Sequence, residues 1–195
     1  MSGACKPVEN DRGLDWLTLV IGPLVLLLLL ALGVEARPGE ERKPRPAPSL
    51  PESGWLNTPE NKSLRLKDLR GKVVLVEFWT YGCYNCRNQL PFVKKWQETY
   101  APQELVVIGV HTPEFEHESR PEKVKKAVEE LGITFPVVLD NDYATWNRYQ
   151  TRAWPTVYLV DHTGHIVYRA EGEGDYERTE ARIQALLREA AASAR

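Results

Sequence analysis

The chain has 195 residues, enough for one domain and something besides it. Its 25 Lys and Arg against 27 Asp and Glu leave a net charge of −2, which argues against nucleic acid as the main partner, because a phosphate-binding surface shows as a basic excess. Three cysteines are too few for a small scaffold held by disulfides, and two of them, Cys83 and Cys86, stand at C-x-x-C spacing, so they read as chemical groups. Cys5 stands apart and reads as an incidental thiol, since no complete lipidation signature surrounds it.

Residues 1–15 form an N-terminal tail. Residues 16–34 carry no charge, and 26–30 are all leucine. At ~1.5 Å per residue such a helix spans a ~30 Å hydrocarbon core, and it lacks the polar face of a soluble helix. We read 16–34 as one transmembrane anchor. The rival is a cleavable signal peptide ending at Val34-Glu35-Ala36, but the apolar run is long for one and its leader carries Glu9, Asp11 and Asp15. Lys6 and Arg12 precede the segment, whereas Arg37, Arg42, Lys43 and Arg45 follow it. That count favours a cytoplasmic C-terminus, in conflict with the chemistry argued below. Residues 35–53 hold five prolines among charges and read as a Pro-rich linker, a stalk unable to bury a core. The folded domain is then expected over 54–195.

Within that domain, residues 73–79 (Val-Val-Leu-Val-Glu-Phe-Trp) are a near-continuous apolar run, the mark of a strand buried on both faces. Leu90, Val93, Trp96 and Tyr100 follow at helical spacing. Residues 105–110 and 135–139 repeat the strand character. Between them a helix is expected, capped by Ser119 with Glu122 in a capping box, apolar at Val124, Ala127, Val128 and Leu131, and closed by Gly132. Residues 156–160 and 165–168 flank Asp161-His162-Thr163-Gly164 as a hairpin, and Ile183, Leu186, Leu187 and Ala190 mark a terminal helix. The order implies an α/β fold with a central mixed sheet and helices on both faces. The charge run 114–126 reads as a solvated face.

Cys83 falls where a buried strand turns into a helix. A thiol at a helix N-terminus meets unpaired N–H groups and the positive end of the dipole, which favour the nucleophilic thiolate. Cys86, three residues on, lies on the same side within reach for a disulfide. The implied cycle is attack by Cys83 on a substrate disulfide and resolution by Cys86. Half of a zinc site is the bland alternative, but there is no second C-x-x-C and no His pair at finger spacing. A copper-delivery module using Cys83, Cys86 and His111 stays open, because soft thiolates suit Cu(I).

The run Val-Glu-Phe-Trp-Thr-Tyr-Gly-Cys-Tyr-Asn-Cys over residues 76–86 resembles the active-site run of the thioredoxin superfamily, and Trp154-Pro155-Thr156 resembles its cis-proline segment. With Gly-Val-His-Thr-Pro-Glu-Phe at 109–115, Leu-Asp-Asn-Asp-Tyr-Ala-Thr-Trp at 139–146 and Gly-Glu-Gly-Asp-Tyr at 172–176, the chain is most similar to the TlpA/ResA branch, and within it to the C-terminal thioredoxin-like domain of DipZ proteins. The resemblance spans about 55–187 and implies a thioredoxin-like fold. It makes Cys83 the exposed nucleophile, Cys86 the resolving thiol and Glu77 the buried strand acid, usually Asp in relatives, that exchanges a proton with Cys86. It makes Pro155 the cis proline that leaves backbone free to pair with substrate, with Trp79 and Trp154 lining the groove. Pro91 matches a helix kink. His111, Asp140 and Asp175 are given no catalytic role.

The resemblance implies no cofactor or metal beyond a redox-active Cys83–Cys86 disulfide. It implies oxidised protein substrates, among them apocytochrome c, and an extracytoplasmic domain. DipZ relatives carry a multi-span electron-carrying portion that these 195 residues lack, so a separate membrane electron donor is expected. A thiol peroxidase is a rival, since peroxiredoxins share the fold. They set their cysteine after Pro-Thr, whereas Cys83 follows Tyr81-Gly82.

Overall fold

The computed structural model describes residues 44–195. The expected tail and anchor lie outside the described residues, and among the described residues no helix is long and apolar enough to cross a membrane. The strands in chain order are β1 (Arg45–Pro46), β2 (Trp55–Leu56), β3 (Val73–Trp79), β4 (Leu105–His111), β5 (Val137–Leu139), β6 (Thr156–Val160) and β7 (His165–Glu171). The helices are α1 (Tyr84–Tyr100), α2 (Pro121–Glu130), α3 (Ala144–Tyr149) and α4 (Tyr176–Ser193). The strands form one mixed sheet in the order β1-β7-β6-β3-β4-β5-β2. β3, β4 and β5 run parallel, and the remaining pairs are antiparallel.

β3 is central, and all seven of its residues are buried. Its alternate side chains serve two cores, as the two-residue strand period requires. Val73, Leu75 and Trp79 pack with Leu90, Val93 and Trp96 of α1, Val124 and Val128 of α2, and Ile183 and Leu186 of α4. Val74, Val76 and Phe78 pack on the opposite face with Trp146 and Tyr149 of α3, and with Leu50, Trp55 and Leu66. At about 1.5–3 kcal/mol for each fully buried large apolar side chain, these two cores are what hold the sheet between its layers.

Three expectations need correction. The domain does not begin at Gly54. β1 pairs with β7, the Arg45 guanidinium donates to the Tyr149 carbonyl at 2.9 Å, and the Tyr149 hydroxyl donates to the Pro48 carbonyl at 3.0 Å. Leu50 is buried in the second core. From Arg45 onward the Pro-rich segment is therefore part of the fold: Pro46 lies in the edge strand β1, where a missing N–H is tolerated.

Nor does Ser119 cap α2. Its hydroxyl donates to the Glu116 carbonyl at 2.6 Å, and the helix starts at Pro121, whose fixed φ suits a first helical position. Gly132, at φ 59°, does end that helix. Finally, the run 114–126 is not wholly solvated, because Glu118 within it is buried.

Candidate active site

The sheet register gathers the candidate residues at one end. Trp79, last in β3, pairs with His111, last in β4, and Phe78 pairs with Thr156, first in β6. The loop into α1, the loop after β4 and the Trp154-Pro155 turn therefore leave the sheet side by side. The Trp154 indole N–H donates to the Thr112 carbonyl at 3.0 Å, and the Thr112 N–H donates to the Trp79 carbonyl at 3.0 Å, tying the three together.

Cys83 is the N-cap residue of α1, with extended backbone at φ −71° and ψ 119°. Its Sγ accepts the Cys86 N–H at 3.2 Å, so the sulfur occupies the position where a capping side chain meets the first unpaired amides of a helix. Both cysteines are free thiols with little exposure, 9 % for Cys83 and 2 % for Cys86. Burial pushes the Cys86 thiol up, and the adjacent Cys83 and the charge of Glu77 act in the same direction. The thiol nearer the surface is thus the one at the helix terminus, and the deeper one resists ionisation.

Glu77 is 1 % exposed, on the β3 face that packs under α1. Burial pushes its carboxyl up to about 7, partly offset by Gln89 of α1, whose side-chain amide donates to Glu77 Oε1 at 3.1 Å. A carboxyl near 7 exchanges protons readily at neutral pH. Gln89 went unnoticed in the sequence, although it lies three residues after Cys86 and so on the same face of the helix.

The Trp154-Pro155 peptide is cis. Trp154 is half-buried and packs against Trp146 of α3, with ring centroids 4.2 Å apart and the planes tilted by 32°. Trp79, by contrast, is 3 % exposed, and its indole lies over Gly109, where a Cβ would come within 2.8 Å of Nε1. It supplies packing under the site and presents no surface to a groove. His111 is fully buried, with Nε2 at 3.2 Å from the Thr80 hydroxyl, and burial holds its ring well down, at about 4, so it is neutral at pH 7. Asp140 is a structural acid: it accepts the Thr145 and Trp146 N–H groups, each at 2.8 Å, and the Thr112 hydroxyl at 3.2 Å. Asp175 precedes α4 with no side-chain capping bond. Among the described residues no three His, Cys, Asp or Glu side chains gather closely enough to hold a metal ion.

Two further residues at the site carried no sequence signal. Tyr81 stacks on His111 at 5.6 Å and donates to the His117 carbonyl at 3.1 Å. Glu118 accepts the Gly82 N–H at 3.0 Å, one residue before Cys83.

The AhpC/TSA family model matches residues 45–169, which begins at β1. The chain is 51% identical over 138 residues to protein DipZ of Mycobacterium bovis, covering 71% of this chain and 20% of DipZ, so it spans about a fifth of that relative's length. It is 30% identical to the thiol-disulfide oxidoreductase YkuV of Bacillus subtilis, over 74% of this chain and 96% of YkuV. A solved thiol-disulfide isomerase from Corynebacterium glutamicum superposes with a TM-score of 0.64 at 30% identity, covering 72% of this chain and 96% of that one. With its CxxC pair at the N-terminus of α1 and this fold around it, the chain belongs to the AhpC/TSA family as a thioredoxin-like domain with thiol–disulfide oxidoreductases among its relatives.

Proposed function

We propose that the chain is a thiol–disulfide oxidoreductase that reduces protein disulfides through Cys83 and Cys86. The observation that carries this is the pairing of a cysteine sulfur at a helix N-cap, 3.2 Å from the Cys86 N–H, with a second thiol buried one turn inside. In the forward cycle the Cys83 thiolate attacks one sulfur of a substrate disulfide. That S–S bond breaks, a mixed disulfide forms and the first substrate thiolate leaves. Cys86 passes its proton to Glu77, and the new thiolate attacks the Cys83 sulfur. The Cys83–Cys86 disulfide forms and the second substrate thiolate leaves. Two electrons move from the dithiol to the substrate, and a dithiol donor restores the pair. Glu77 suits the proton step because its carboxyl sits near 7 and its charge is felt at Cys86. Pro155 and Trp154 border the site and would meet the substrate chain.

Replacing Cys83 with Ser should abolish reduction of insulin disulfides, and undiminished turnover would refute the proposal. The reduction potential gives the direction of flow: a value near thioredoxin's ~−270 mV makes the protein a reductant, and one toward ~−120 mV an oxidant.

The proposal extends to place and partners. Residues 16–34 would anchor the domain on the extracytoplasmic side of a membrane. A separate membrane protein would supply electrons, and exported cysteine proteins such as apocytochrome c would be substrates, by family analogy. A reporter active only outside the membrane, fused at the C-terminus, should be active; silence would favour the basic-residue count. The family model also keeps a thiol peroxidase in view, although Cys83 follows Tyr81-Gly82. Rapid peroxide consumption by the reduced protein would support it. The copper-delivery reading gains nothing from the geometry, since His111 Nε2 already meets Thr80.

A further inference from the structure

Glu118 lies in a single turn of 3-10 helix, Glu116–Ser119, after β4, and its side chain has no solvent exposure. A buried carboxylate persists only where donors compensate it. Its Oε2 accepts the Glu114 N–H at 2.7 Å and the Phe115 N–H at 3.1 Å. These two bonds are local and shape its own turn. Its Oε1 accepts one bond, from the Gly82 N–H, 36 positions away in sequence and adjacent to Cys83.

Gly82 fits that contact. It is absent from the glycines with positive φ, so its backbone conformation does not demand glycine. A Cβ added there would instead run into Glu118 Oε1. The same loop is stitched a second time by the Tyr81 hydroxyl on the His117 carbonyl. Downstream of Gly82, the Cys83 N–H donates to the Thr80 carbonyl at 3.3 Å, and Cys83 Sγ accepts from Cys86. The N–H of the Tyr81–Gly82 peptide, directly before Cys83, is therefore anchored by a side chain, the Glu118 carboxylate.

We propose that Glu118 is a positioning residue for Cys83: its carboxylate fixes the Gly82 amide and so aims the Cys83 sulfur. This rests on the reading of Cys83 as the attacking thiol. The test measures the single-turnover rate of the reduced full-length protein with a small aromatic disulfide, DTNB, well below the unfolding temperature. A small probe leaves out any effect on protein recognition. Glu118→Gln keeps volume but cannot accept on both sides, and it should slow the reaction about tenfold, the scale expected when a reacting atom is displaced by a fraction of an ångström. Gly82→Ala sets a methyl group against Glu118 Oε1 and should slow it similarly, so a Glu118→Gln chain that fails to fold leaves the question answerable. The double variant should be no slower than either single one, because both break one contact.

Unchanged rates in folded variants, with only a lowered Tm, would overturn the proposal. So would an equal loss in Tyr81→Phe, which cuts the other stitch and would assign the effect to loop docking in general. A wild-type protein that reacts with DTNB yet reduces no insulin would defeat the oxidoreductase reading while still reporting on Glu118.

Discussion

Glu77 has almost no contact with water, yet it sits among groups that exchange protons or carry dipoles. Its carboxyl, near 7, receives one hydrogen bond, from Gln89. If its carboxylate takes the Cys86 proton, the resolving step should accelerate as pH rises through about 7. Glu77→Gln keeps the shape and removes the proton acceptor. The resolving rate at pH 8 should then fall about 10²-fold, the lower end of the usual worth of a general base, and the limb near pH 7 should vanish. Gln89→Leu removes the bond that holds the carboxyl down, so the same limb should move to higher pH with its height preserved. Stopped-flow measurement of mixed-disulfide resolution between pH 5 and 9, on the order of half a unit apart, reads both. A Glu77→Gln profile that keeps the limb would assign it to another group.

At the scale of elements, the strongest patterns in the sequence became the centre of the molecule. The apolar runs at 73–79 and 156–160 are β3 and β6, and the spacing of Leu90, Val93, Trp96 and Tyr100 is the buried stripe of α1. What escaped was short or depended on distant partners. β1 and β2 have two residues each, too few for a period, and α3 has six residues between Tyr143 and Gln150, both at φ 59°. Glu118 looked like one more surface charge because its compensating amides, above all that of Gly82, become neighbours only after folding. The Pro-rich stretch before Gly54 looked unable to bury a core, but Leu50 needed only a hollow that α3 and the sheet supply. A chain beginning at Gly54 should therefore be less stable than one beginning at Pro44. Uncovering Leu50 costs about 2 kcal/mol, and leaving the Tyr149 hydroxyl without Pro48 costs about 1 kcal/mol more. Urea unfolding should show a loss of about 3 kcal/mol in all. Equal midpoints would mean that the segment rests on the domain without supporting it.

For the whole molecule, two buried groups shifted in opposite directions from their ordinary values couple stability to pH in opposite senses. Glu77 moves from 4.5 to about 7 on folding, so its protonated form is favoured in the native state. Its contribution is fully present below pH 4.5 and is lost as pH rises through about 7. His111 moves from 6.5 to about 4, so its neutral form is favoured; its contribution is fully present above pH 6.5 and is lost as pH falls through about 4. Each is worth about 3 kcal/mol across its window, a sizeable part of a typical domain's stability. Between pH 4.5 and 6.5 folding adds a proton at Glu77 and removes one at His111, so the two slopes cancel. Removing one partner should expose the other. In Glu77→Gln the His111 slope stands alone, and stability should decline as pH falls from 6.5 to 4. Subtracting the wild-type curve cancels every titration the two chains share. The remaining difference, variant minus wild type, should grow by about 3 kcal/mol in the variant's favour from pH 4.5 to pH 7 and stay level beyond. Urea midpoints across that range measure it. A level difference would show that Glu77 titrates alike in the folded and unfolded chain, and would remove the basis for its part in the proton step.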